Sequence, residues 1–176
     1  RGIWNYAGSF YAHAWLWQGD GAKAADVLYA FANHASPLMA WREEQYPQGK
    51  DESTTPFVGD MPHNWASAEF VRLVRHLLVL ERGSELHLLA GEPAAWAKPG
   101  MVTRVRDIPT DFGPMSLELA VAADGKTAKF RANLPSRTPP SRVVLHLESW
   151  AGRKESLQLG TAGQIEQEIV MGFDSR

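Results

Sequence analysis

Two short stretches concentrate the side chains able to do chemistry. Residues 41–45 read Trp41-Arg42-Glu43-Glu44-Gln45, and residues 63–65 read His63-Asn64-Trp65 at the head of an apolar helical run. Carboxylates take up or release protons, and Gln, Asn and His exchange hydrogen bonds with hydroxyls. Indoles offer flat apolar faces with one polar handle. Glu43 and Glu44 do not become an acid/base pair by being neighbours, because adjacent side chains need not face one site. Taken alone, an Arg-Glu-Glu-Gln loop is a solvated surface. What raises its interest is position: a helix entered through such a loop presents its unpaired amides and its cap at one end, beside the loop's side chains.

The elements that must position these residues are legible from periodicity. Residues 5–18 carry apolar positions at helical spacing, Gly19 stands where a helix C-terminal glycine belongs, and Asp20 is placed to cap a second helix over 21–35. That helix stops at Ser36-Pro37. The short connection predicts an antiparallel helical hairpin. From residue 37 to 63 the pattern breaks, punctuated by Pro47, Gly49, Pro56, Gly59 and Pro62, a length that in a compact domain marks a functional or unordered loop. Residues 64–82 then give the most apolar helix, expected to be mostly surrounded by protein and closed by Gly83. Beyond it the period falls to 2. Strands are expected near 85–90, 101–106, 115–122, 128–132, 143–147, 154–159 and 164–171, with a hairpin turn at Ala123-Asp124-Gly125-Lys126. Five of the seven tryptophans precede Gly83. The expectation is an α+β chain: a helical segment of about three helices over 1–83, then an antiparallel β-sandwich over 84–176.

Composition excludes several classes. Lys and Arg total 18 against 20 Asp and Glu, a net charge of -2, so no basic footprint for nucleic acid or an anionic membrane exists. No apolar run reaches the roughly 18–20 residues a membrane span needs. The absence of cysteine removes disulfides, thiolate nucleophiles and cysteine metal sites. His13, His34, His76, His87 and His146 are scattered without ligand spacing, so no metal and no cofactor are expected. Gly125-Lys126-Thr127 imitates the end of a phosphate loop, but position 120 is Ala120 where glycine is required. Arg1-Gly2-Ile3-Trp4 reads as neither an initiator nor a signal peptide, and the chain is expected to be the tail of a longer polypeptide.

Glu44-Gln45, a spacer, then Pro62 and Trp65-Ala66-Ser67-Ala68-Glu69-Phe70 resemble the end of the catalytic domain of glucoamylase-like six-hairpin glycoside hydrolases. The resemblance covers residues 1–83. It implies an (α/α)6 toroid of about a dozen helices, of which the last three are present, with 5–18 and 64–82 on the inner ring and 21–35 on the outer. It implies Glu44 as catalytic base, or Glu43 if the match is displaced by one. Arg42 would keep the base ionised, Gln45, His63 and Asn64 would bind sugar hydroxyls, and Trp4, Trp41 and Trp65 would face the cleft. Trp41 and Trp65 would be sugar platforms. The implied substrate is an oligo- or polysaccharide. The general acid would lie upstream of Arg1 or on a partner chain, leaving the isolated chain inactive. Two other readings stay open: a glycoside phosphorylase of the same fold, and a non-catalytic carbohydrate-binding or scaffolding module in which the β-domain is the working part.

Overall fold

A computed structural model describes residues 3–45 and 59–172. They form three helices and two four-stranded sheets, a mixed α+β architecture. The chain divides into two compact units, 1–75 and 76–176.

In the first unit, α1 (Asn5–Gln18) ends at Gly19, whose φ of 85° is the left-handed turn that glycine makes without Cβ strain. Asp20 caps α2 (Gly21–Asn33) by accepting from the Lys23 N–H at 3.1 Å. Tyr6, Ala12, Leu16, Ala24, Ala25, Leu28, Phe31, Trp41, Ala66 and Leu73 are the buried apolar residues. Phe31, Trp41 and Phe70 pack against one another, mostly edge to face, with ring centroids 4.7–5.5 Å apart. The third helix, α3 (Asn64–Leu78), is not surrounded as expected. Ala66, Leu73 and Leu77 are buried, but Trp65 and Val71 stay exposed along one side. Arg72 pairs with Glu69 one turn back, at 2.6 Å.

The helix also ends four residues early. Val79–Arg82 forms β1, paired antiparallel with β2 (Glu85–Leu88), so Gly83 at φ 60° is a hairpin turn and not a helix cap. The run Leu77-Leu78-Val79-Leu80 satisfies both periods, and the ladder to β2 decides between them. The division between the two compact units falls at 75/76.

The remaining strands are β3 (Val102–Ile108), β4 (Met115–Val121), β5 (Thr127–Leu134), β6 (Arg142–Leu145), β7 (Leu157–Leu159) and β8 (Gly163–Val170). One sheet has the order β1-β2-β6-β7 and the other β3-β4-β5-β8. All pairings are antiparallel except β2·β6, which is parallel. Strict alternation in β4 and β5 sends Leu117, Leu119, Ala128, Phe130 and Ala132 inward. They join Val79, Leu86, Leu88, Val143, Leu145 and Trp150 in a single hydrophobic cluster fed by both sheets.

Candidate functional site

The described ends of the 37–63 loop are zipped together by the backbone. The His63 N–H donates to the Trp41 carbonyl at 2.7 Å, and the Glu43 N–H donates to the Asp60 carbonyl at 3.1 Å. Ile3 and Gln45 form an isolated antiparallel bridge, with N–H···O distances of 2.6 and 2.9 Å, that ties the segment before α1 to the same loop. These three tethers gather side chains from residues 4–6, 43–45 and 60–65 at the N-terminal end of α3.

At the centre is the Tyr6 ring. It stacks on Trp65 at 4.4 Å between centroids, and lies 5.7 Å from Trp4 and 5.4 Å from His63. Trp4 and Trp65 are each about half exposed, 44% and 52%, so an open aromatic surface results. Its orientation is fixed from below. The Trp65 indole N–H donates to Glu69 at 3.3 Å, and the same carboxylate accepts from Ser9 at 2.8 Å and from Arg72. Burial pushes Glu69 upward, but the hydrogen bonds from Ser9, Arg72 and Trp65 hold it below the usual carboxylate range. Glu69 is therefore an ionised, buried anchor for the platform.

Acidic groups border the rings. Asp60 and His63 share a 2.6 Å hydrogen bond between Oδ1 and Nδ1, which lowers the Asp60 carboxyl. One donor atom each from Glu43, Asp60 and His63 lies within 4.8 Å of the others. These are the described residues able to share a divalent ion, although their carboxylates are exposed or half-buried. The Tyr6 hydroxyl is pushed above its ordinary value by burial first, then by the fields of Glu43 and Glu44. Both glutamates thus sit near the aromatic cluster. Glu43 packs against the Gly59 backbone, where an added Cβ would meet its carboxylate.

The sequence-derived candidates separate on this geometry. Trp4, His63 and Trp65 come together around Tyr6, Glu43 lies beside His63 with Glu44 next to it in the chain, and Asn64 is the exposed first residue of α3. Trp41 is a core residue instead of a sugar platform: it is 2% exposed, its indole N–H donates to the Phe31 carbonyl at 2.9 Å, and its ring faces Phe31 and Phe70. Gln45 braces the loop, donating to the His34 carbonyl at 2.9 Å and accepting from Asn5 at 3.3 Å. Arg42 is half-buried. Tyr6 and Asp60 were missed. Tyr6 was hidden inside an apolar helix, whereas Asp60 stands three residues before His63, a spacing that signals a local carboxylate–imidazole contact. Residues 46–58 of the expected loop lie outside the described residues.

In the second unit a groove of about 740 Å³ crosses the outer face of β3-β4-β5-β8. Its floor is a transverse row of opposed charges, Arg104, Glu118, Arg131 and Glu166, one per strand and in direct register. Among its described residues no large aromatic side chain of this unit is exposed, so the face offers ion pairs and no stacking platform. No family profile matches the chain, and neither the curated proteins nor the solved structures contain a match to it.

Proposed function

We propose that the chain is part of a glycoside hydrolase, with α1–α3 closing an (α/α) toroid, the two sheets forming an accessory β-sandwich, and the Trp4–Tyr6–Trp65 surface forming one wall of the sugar-binding cleft. The observation that carries this reading is the convergence of half-exposed indoles with Glu43, Glu44, Asp60 and His63 at one helix end. Pyranose rings present apolar faces ringed by hydroxyls. A stacked aromatic surface bordered by carboxylates and an imidazole matches both features.

Glu44 acts as the general base. Glu43 lies beside Asp60, His63 and the Gly59 backbone, and no hydrogen bond from the described residues engages the Glu44 carboxylate. In an inverting reaction Glu44 would take a proton from water as the leaving oxygen is protonated from across the bond. The donor carboxyl would stand roughly 6.5–9.5 Å away, supplied by another part of the polypeptide or a partner chain. Phosphorolysis fits less well, because a phosphate dianion would have to approach Glu43, Glu44 and Asp60 against their charge.

The test is kinetic, in the intact enzyme with aryl glycosides and oligosaccharides. Glu44→Gln should lower kcat by roughly 10²–10⁴ with little change in KM, while Glu43→Gln should do much less. Undiminished activity of Glu44→Gln together with a requirement for phosphate would replace hydrolysis with phosphorolysis.

A further inference from the structure

The second unit holds a cluster of titratable groups that the site above does not use. On one face of β1-β2-β6-β7, residues 82, 85, 87, 142 and 146 alternate with the core-facing Leu86, Leu88, Val143 and Leu145. The parallel register of β2 on β6 sets Glu85 opposite Arg142 and His87 opposite Val144, and the His146 N–H extends it by donating to the Leu88 carbonyl at 3.0 Å. His87 and His146 therefore meet ring to ring, with centroids 5.1 Å apart and Nδ1 of His87 2.8 Å from Nε2 of His146. Both rings are largely buried.

Counting hydrogens on the four ring nitrogens fixes the charge. The outer nitrogen of His87, Nε2, faces the Glu85 carboxylate at 3.1 Å. The outer nitrogen of His146, Nδ1, faces Glu148 Oε2 at 3.4 Å and the Ser156 oxygen at 3.4 Å. Ser156 gives its own hydrogen to Glu148 Oε1 at 2.7 Å, so it too can only accept from the ring. Both outer nitrogens thus need a hydrogen, and the inner contact needs one and no more. Two hydrogens would leave either a ring lone pair against a carboxylate or two ring lone pairs facing each other across the inner contact. Four would set N–H against N–H across 2.8 Å.

We propose that His87 and His146 act as one proton-holding unit, taking a single shared proton between Glu85 and Glu148 and refusing the second, and that this unit is an acid-sensitive latch joining β2, β6 and the 146–156 segment. The surrounding charges are Arg82 on β1, Glu85 on β2, Arg142 on β6 and Glu148 after β6, while β7 contributes only Leu157, Gln158 and Leu159. Burial, Arg82 and Arg142 oppose protonation, and Glu85 and Glu148 favour it. The latch has leverage because the His146 carbonyl accepts the indole N–H of the fully buried Trp150 at 2.7 Å. Forcing a second proton onto the pair breaks the inner contact beside that anchor.

The experiment is long-range proton–nitrogen NMR of the histidine rings in the 176-residue chain, titrated from pH 8 to pH 4.5. The expected result is uptake of one proton, with the ring nitrogens of both histidines moving at a common midpoint. Glu148→Gln keeps an oxygen acceptor and removes only the charge. It should lower the pair's proton affinity about tenfold while leaving the native spectrum otherwise unchanged. Two rings titrating separately to full imidazolium would overturn the proposal. So would two rings that stay neutral until the chain unfolds, or a Glu148→Gln variant with an unmoved midpoint.

Discussion

Glu92, on the segment between β2 and β3, has no exposed surface. One of its oxygens accepts from the Thr103 hydroxyl at 2.6 Å and the other meets no partner among the described residues. Burial pushes its carboxyl up from 4.5 to about 7, against the smaller downward pull of the Thr103 hydrogen bond. The folded chain therefore binds this proton more tightly than the unfolded chain does. The resulting stabilisation is complete below about pH 4.5 and lost as pH rises through about 7. Glu92→Gln mimics the protonated acid. It should leave stability at pH 4.5 nearly unchanged and raise it at pH 8 by on the order of 3 kcal/mol, measured by urea unfolding at the two pH values. At the candidate site, Trp4→Ala and Trp65→Ala should each weaken oligosaccharide binding about fivefold by calorimetry, on the order of 1 kcal/mol of lost stacking. Trp65 and His63 were readable because they open a strongly periodic helix. Glu92 was not: a glutamate in Gly-Glu-Pro looks solvated, and only the fold shows that it is buried with no described residue bonded to its second oxygen.

Among the elements, those with local punctuation were legible. Gly19 and Asp20 announce the α1–α2 hairpin because a left-handed residue and a side-chain cap are properties of the residues themselves. Asp20→Ala should cost about 1 kcal/mol in the chain's thermal or denaturant stability by freeing the Lys23 amide. Strands β4 and β5 were legible for a similar reason, since alternation over seven or eight residues has no helical counterpart. Strand β1 was not. Val79 and Leu80 prolong the apolar stripe of α3, and the switch to extended backbone comes from pairing with Glu85–Leu88, a tertiary choice that overrides local pattern. The same blindness hid the histidine pair, whose members lie 59 residues apart and meet only through strand register.

For the molecule as a whole, the two buried titrations in the second unit pull in opposite directions. Burial lowers His87 and His146 below the ordinary 6.5, so their contribution is present above that value and lost on acidification. Glu92 gains over the range in which they lose. Between about pH 4.5 and 6.5 the gain from Glu92 should offset part of what the histidines lose on acidification. The Glu92→Gln variant should become steadily less stable over the same interval in a pH series of urea midpoints.

The parallel pairing of β2 with β6 reaches across 57 residues. On a ribosome, the β1–β2 hairpin emerges long before the strand that completes its far side, so Leu86 and Leu88 wait with an open backbone edge while the β3-β4-β5 meander forms. Chains halted between β5 and β6 are the ones that should stick to one another or recruit a holdase. Release of Arg142–Leu145 from the exit tunnel is the moment at which that hazard ends.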